Sequence, residues 1–172
     1  MLATFNNAPA GDYVVTFLPV PYYQTPAPQS NTLVAAATLI FQGNYSFTDM
    51  NSNGIADAWE QQNFGAVSPT RTRFTDTDGD GFTDYAEFIA GTDPNSPTSK
   101  LALTTPAMQA DGTLRLQWPS VAGRAYRVEG SSDAIQWVAL SDWTLATADT
   151  MSLTLPAPVP GAPYLFRVEV HP

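Results

Sequence analysis

Two stretches of this sequence carry oxygen-bearing side chains at the same intervals. In DMNSNGIADAWE, residues 49–60, Asp49, Asn51, Asn53, Asp57 and Glu60 stand at positions 1, 3, 5, 9 and 12, with Gly54 at position 6. In DTDGDGFTDYAE, residues 76–87, Asp76, Asp78, Asp80, Asp84 and Glu87 hold those positions around Gly81. Oxygen donors alternating about a glycine suit a hard cation, because calcium takes six to eight oxygens and a loop that turns sharply at its sixth residue can wrap them around one point. The seventh residues, Ile55 and Phe82, would offer backbone carbonyls. The ninth would bind directly or through water, and the twelfth glutamate would close the shell with both oxygens. The expectation is two calcium ions, one in each loop. Read otherwise, the residues would be Asx turns and helix N-caps with solvated carboxylates. Against that, carboxylates crowded as in the second window repel one another unless a counter-ion is present.

These loops need elements to hold them. Each is followed by a short helical run, ADAWEQQ or TDYAEFIA, and then by a glycine suited to end a helix in the left-handed conformation. The two units begin 27 residues apart, at Asp49 and Asp76, and read as an internal duplication. The segments before them, SFT and RFT, look like strand ends rather than helices. Ile55 and Phe82, just after the turning glycines, are expected to pack against one another, and Trp59 to point inward. Residues 47–100 thus form a middle module, ending in the linker-like TDPNSPTSK.

On either side the sequence turns β-like. Residues 1–46 read as extended chain: YVVTFLPV (13–20) alternates large side chains, and TLVAAATLIFQGNYSF (32–47) is rich in Thr, Val and Ile, with a Pro-punctuated stretch between. A helix over LVAAATLIF is the competing reading. Residues 101–172 give six short alternating runs, LALTT, TLRLQW, AYRVEG, QWVALS, MSLTLP and YLFRVEV, separated by turn residues such as Asp-Gly and Pro-Gly. With Trp118, Tyr126, Trp137 and Phe166 available for a core, they predict a small antiparallel sandwich. The fold class expected is mainly β: an N-terminal partial β-sandwich, central paired loops with two short helices, and a C-terminal fibronectin/Ig-like β-sandwich.

Composition narrows the function classes. The formal charge is −9, Lys100 is the only lysine, and eight of the sixteen acidic residues lie in the two loops. Such a chain lacks the basic face that displaces counterions from a phosphate backbone, so nucleic acid is excluded as a partner. No run approaches the roughly twenty apolar residues of a membrane span. With no cysteine, disulfides and thiolate sites are absent together. The sole histidine, His171, is next to last, and no pair among Asp111, Glu129, Asp133, Asp142, Asp149 and Glu169 is singled out by spacing, so an enzyme is not expected. Trp118, Trp137 and Trp143 read first as core, and otherwise as a sugar-stacking platform. Asn44-Tyr45-Ser46 fits a glycosylation sequon. The opening MLATFNNAPAGDY has no basic then apolar leader pattern, so any secretion signal is expected to be removed or upstream.

The two loops resemble the EF-hand-like calcium repeats of dockerins and thrombospondin type 3 repeats, in which a helix follows each loop. Glu60 and Glu87 at position 12 depart from the Asp usual there. AEFIAGTDP followed by Trp118, Gly123, Tyr126, Val128 and Glu129 resembles the C-terminal module of large bacterial secreted proteins, and GDYVVTFLPVPYY is similar to PEGA-like or Cna-B-like sandwiches of surface stalks. The resemblance implies an extracellular or cell-surface calcium-binding protein. About three strands in residues 1–46 are too few for an independent sandwich. The missing ones are expected from upstream chain, from the C-terminal domain, or from a neighbouring copy by strand addition, which would build a head-to-tail filament. The rival expectation is a non-catalytic carbohydrate-binding appendage of a secreted enzyme.

Overall fold

A computed structural model describes residues 6–156 and 165–172. The protein is mainly β, with two short helices among the described residues. Strand β1 (Gly11–Val15) pairs antiparallel with β2 (Gln29–Leu33), from Gly11 opposite Leu33 to Val15 opposite Gln29. There the ladder stops. The predicted strand over 32–47 forms only its first residues, and the helix weighed against it does not form either. Val34 and Ile40 are exposed, so no second sheet rewards continued pairing. Side chains fold the segment back instead: Gln29 Nε2 donates to the Gln42 carbonyl (2.6 Å), Gln42 N donates to Gln29 Oε1 (3.2 Å), and the Tyr45 hydroxyl donates to the Leu18 carbonyl (2.6 Å). A single bridge, Gln24 to Ser46, returns the chain to the loops.

Helices α1 (Asp57–Phe64) and α2 (Asp84–Ala90) follow the two loops, and each ends at a left-handed glycine, Gly65 or Gly91, as their sequences predict. Their buried faces meet in one aromatic core of Ile55, Ala56, Trp59 and Phe88, joined by Tyr22, Tyr23 and Phe47 from the preceding segment. Phe88 is its hub. Its ring stacks on Tyr23 at 5.6 Å and meets Phe47 at 5.5 Å and Trp59 at 5.7 Å edge to face. Tyr22 and Tyr23, which their own two-stranded sheet does not cover, are thus partly buried against α2. The expected contact between Ile55 and Phe82 does not define this core: Ile55 is fully buried in it, while Phe82 is half-buried outside it.

The C-terminal part is a two-sheet sandwich. One sheet has the order β3 (Ala107–Met108), β4 (Leu114–Pro119), β8 (Thr150–Leu155). In the other, β5 (Ala125–Ser131) is central, with β9 (Leu165–His171) along one edge and the short β6 (Val138–Ala139) and β7 (Thr144–Leu145) sharing the opposite edge. Alternate residues turn inward, so Leu114, Leu116, Trp118, Tyr126 and Val128 are buried between the sheets with Leu153, Phe166 and Val168 against them. The expected first strand LALTT is not one. Leu101 and Leu103 still pack on the core, and Thr104 N donates to the Gln117 carbonyl at 2.8 Å. The expected Pro-Gly turn at 160–161 and the start of the last strand at Tyr164 lie outside the described residues.

Trp137 and Trp143 are a correction. Both are half-buried on the outer face of the β5 sheet, where Arg167 lies over the Trp137 ring at 4.3 Å and Arg127 over the Trp143 ring at 4.8 Å. The same arginines pair with Glu129 and Glu169 across β5 and β9, with contacts of 2.6 Å from Arg127 to each glutamate and from Arg167 to Glu129. Register decides this: Arg127 faces Glu169 and Glu129 faces Arg167 on the ladder, which leaves the indoles to cover a charged lattice rather than fill the core.

The sandwich is keyed to α2. Arg124, 3% exposed, donates from Nη2 to the Phe88 carbonyl at 3.2 Å, within the last turn of α2, where a cation complements the exposed carbonyls. Gly91 sits against it, since a Cβ there would come within 3.3 Å of Arg124 Nε and 3.2 Å of Val121.

Candidate metal centre

The two loops are built on one backbone plan. The position-9 amide of each donates to the residue before the loop, Asp57 N to the Thr48 carbonyl and Asp84 N to the Thr75 carbonyl, both at 2.8 Å. The fourth residue is left-handed in each, Ser52 at φ 57° and Gly79 at φ 76°, as is the sixth, Gly54 at φ 85° and Gly81 at φ 94°. That geometry is what glycine supplies without steric cost at position 6. It also aims amide N–H groups inward, so Asp49 accepts from Asn53 N and Gly54 N, and Asp76 from Gly79 N and Gly81 N. At position 5, Asn53 Oδ1 accepts from Ile55 N and Asp80 Oδ1 from Phe82 N, each at 2.8 Å. At position 9, Asp57 Oδ1 accepts from Met50 N and Asp84 Oδ1 from Thr77 N.

The donors left over differ between the loops. In the second, Asp76, Asp78 and Asp80 bring carboxylate oxygens within 4.8 Å of one another. Asp78 Oδ2, Asp80 Oδ2 and Glu87 Oε2 are buried with no hydrogen-bond donor among the described residues. Glu87 is 1% exposed and the Asp80 side chain 1%, and Lys100 Nζ stands 3.5 Å from Asp80 Oδ2. Asp80 Oδ2 thus has an ion pair but no hydrogen bond, while Asp78 Oδ2 and Glu87 Oε2 have no hydrogen-bond donor among the described residues, and a buried carboxylate oxygen left so carries a desolvation cost of several kcal/mol. A divalent cation held by the Asp76, Asp78 and Asp80 cluster would supply a partner there, with Glu87 close enough to feel the Asp78 and Asp80 charges. Of the predicted ligands in this loop, Asp84 is turned away: Oδ1 is held by Thr77 N, and Oδ2 by the Thr77 hydroxyl (2.8 Å) and Arg71 Nε (2.8 Å).

In the first loop Asn51 Oδ1 and Asp57 Oδ2 are the buried oxygens without a donor among the described residues. Glu60, the predicted closing ligand, is engaged at both oxygens, by Arg71 Nη1 at 3.1 Å and by Asn51 Nδ2 at 3.0 Å. Sequence reasoning missed Arg71. The signal was present, for Arg71 and Arg73 are the only cations between residues 47 and 99.

Residues 76–97 match the family model described as the bacterial TSP3 repeat. TSP3 repeats are calcium-binding structural repeats, and the match spans the Asp cluster of the second loop with α2. The first loop lies outside the matched TSP3 residues. Comparison with curated proteins and with solved structures gives no match. No helix among the described residues is long and apolar enough to cross a membrane.

The electrostatics of the second loop give a pH dependence. Burial lifts the Glu87 carboxyl from its ordinary 4.5 to about 7; the Thr92 hydroxyl opposes the shift, and the nearby Asp78, Asp80 and Asp84 charges add to it. A carboxyl whose pKa is higher in the folded state binds more protons folded than unfolded between those two values. Calcium-free stability therefore falls as pH rises from about 4.5 to 7, by on the order of 1–2 kcal/mol after screening. Ion-stripped protein is expected to melt higher near pH 5 than near pH 7.5, and calcium-loaded protein to show the reverse, because the ion requires the carboxylate. Calorimetric scans at both pH values, with and without calcium, check the inversion.

Proposed function

We propose that this is an extracellular, non-catalytic structural protein in which calcium, bound at the second loop and at a second site in the first, stiffens the joint between the N-terminal segment and the C-terminal sandwich. The observation that carries this reading is the convergence of Asp76, Asp78 and Asp80 oxygens, with buried Asp78 Oδ2, Asp80 Oδ2 and Glu87 Oε2 lacking hydrogen bonds among the described residues and a lone lysine contact on Asp80. The joint is what an ion would brace: Glu87 is followed directly by Phe88, whose ring holds Tyr23 and whose carbonyl takes Arg124. His171, the only histidine, packs against Trp143 with ring centres 4.4 Å apart and the planes tilted by 59°, an arrangement that favours a packing role. Titration calorimetry is the test. Calcium should bind with a dissociation constant below the near-millimolar level outside cells, magnesium much more weakly, and Asp78→Asn/Asp80→Asn should remove the tight phase. Absence of calcium binding in the native chain would end the proposal.

Head-to-tail self-association by strand addition belongs to the same reading. Its support is the two-stranded β1–β2 sheet, with Val14, Leu18, Val34 and Ile40 exposed beside it. Sedimentation of the calcium-loaded chain over a range of concentrations would register it. The carbohydrate-binding alternative is favoured by the half-exposed Trp137 and Trp143, although an arginine covers one face of each ring. Glycan binding lost on Trp137→Ala or Trp143→Ala would favour it over the structural role. Asn44 of the sequon is exposed, as an attachment point for glycan must be.

A further inference from the structure

The duplicated loops are not equivalent, and one residue makes them differ. Arg71 lies in the connection between them and is held on every side. Its guanidinium donates to Glu60 Oε1 at 3.1 Å and to Asp84 Oδ2 at 2.8 Å, and its carbon sits 3.4 Å above the centre of the Phe64 ring. Its carbonyl accepts from Asn53 Nδ2 at 3.4 Å, and its amide donates to the Ser68 carbonyl at 3.2 Å. Glu60 and Asp84 are both fully buried at their side chains, and Arg71 is 12% exposed.

In the first loop this cation occupies the twelfth-position carboxylate that a calcium ion would need. The third-position amide is tied to the same carboxylate through its nitrogen, Asn51 Nδ2 bridging Glu60 Oε2 and the Ser68 carbonyl at 3.0 and 2.9 Å, while its Oδ1 has no donor among the described residues. In the second loop the twelfth carboxylate, Glu87, keeps Oε2 without a donor among the described residues, Arg71 meets only Asp84, which Thr77 already holds, and the cation near a ligand position is Lys100, 38% exposed and a single contact of 3.5 Å from Asp80 Oδ2.

We propose that Arg71 is a built-in counter-cation for the first loop, so that the two loops fill unequally: the second takes calcium directly, and the first takes it only when the ion displaces Arg71 from Glu60. This rests on the calcium reading given above. A guanidinium fork across two buried carboxylates is a charge-assisted bond to each, and giving one up costs enough to weaken the first site roughly 10–100-fold relative to the second. The donors that remain ready in the first loop, Asn51 Oδ1 and Asp57 Oδ2, are those the ion would use once Glu60 is released.

The position-6 amides report each loop separately, since Gly54 N donates to Asp49 and Gly81 N to Asp76. In the native chain, an amide-resolved NMR titration with calcium should move Gly81 first and Gly54 only at free calcium about 10–100-fold higher. In Arg71→Gln the Gly54 midpoint should fall toward that of Gly81, while the Gly81 midpoint stays near its native value. Arg71→Lys keeps the charge without the fork and should fall between. It also guards against Arg71→Gln unfolding, which the near-UV circular dichroism of the aromatic core would reveal. Gly54 and Gly81 moving together in the native chain overturn the proposal, as does a Gly54 midpoint indifferent to both substitutions. If neither amide responds to calcium, the calcium reading fails and the inequality with it; if both respond together, only the inequality fails.

Discussion

Replacing Phe88 by alanine is expected to destabilise the protein by about 3–5 kcal/mol, the range for removing a fully buried aromatic side chain. The size of the effect follows from what the ring touches. Phe88 has no solvent exposure and contacts Tyr22, Tyr23, Phe47 and Trp59, residues drawn from the N-terminal segment, the first loop's lead-in and α1. Removing it leaves a cavity where Tyr22, Tyr23 and Phe47 pack against α2. At roughly 2–4 °C per kcal/mol for a chain of this length, the melting temperature should fall by about 10–15 °C. The near-UV signal of the stacked rings should collapse with it. Phe88→Leu, which refills most of the volume, should lose less than half as much. A loss below about 1 kcal/mol for the alanine variant would mean that the aromatic cluster is not the joint's core.

Chelating calcium should have the next largest effect. At calcium one hundred times its dissociation constant, a single site adds about 2.7 kcal/mol to the folded state, so removing the ion should lower the melting temperature by roughly 5–10 °C. The effect should be local before it is global. Without the ion, the Asp78 and Asp80 carboxylates of the loop repel Glu87 on α2, and α2 carries both Phe88 and the carbonyl that holds Arg124. Limited proteolysis of the stripped protein should therefore cut first between residues 65 and 100 and release an intact sandwich. The sandwich has its own core of Leu116, Trp118, Tyr126 and Val128, independent of the loops. Equal protection with and without calcium would remove the bracing role.

The two predictions bear on different parts of the same helix. Glu87 and Phe88 are neighbours on α2, one facing the oxygens of the second loop and the other the aromatic core. A variant that loosens either is expected to weaken the other, so Phe88→Ala should also reduce calcium affinity. Coupling of this kind is not additive, and the double change with Glu87→Gln should cost less than the sum of the two.

Much of this was legible from residue types alone. The loop plan is local: side chains two apart on a sharply turning backbone, with glycine where φ is positive, and helices that stop at Gly65 and Gly91. Alternating burial in β4 was legible for the same reason, since a strand's period is fixed by its own backbone, whereas β5, central in its sheet, is buried along almost its whole length. What the sequence misjudged were questions of partnership. TLVAAATLIF has strand composition but no sheet to join, so it does not continue β2. Trp137 and Trp143 looked like core residues, yet cross-strand register placed arginines beneath them. Arg71 was not read as a partner of Asp84 and Glu60, which stand at ligand positions by spacing.

The sequence by itself determined that two oxygen-lined turns would form, each leading into a short helix, between stretches of mostly β character, because those outcomes depend on dihedral preferences and donor spacing within a dozen residues. Tertiary structure alone decided which oxygens remain open to a cation, which aromatic residues share one core, and which face of the sandwich carries charge. Those depend on groups that meet across the fold, and the spacing of residues along the chain does not encode which distant side chain arrives to satisfy a carboxylate.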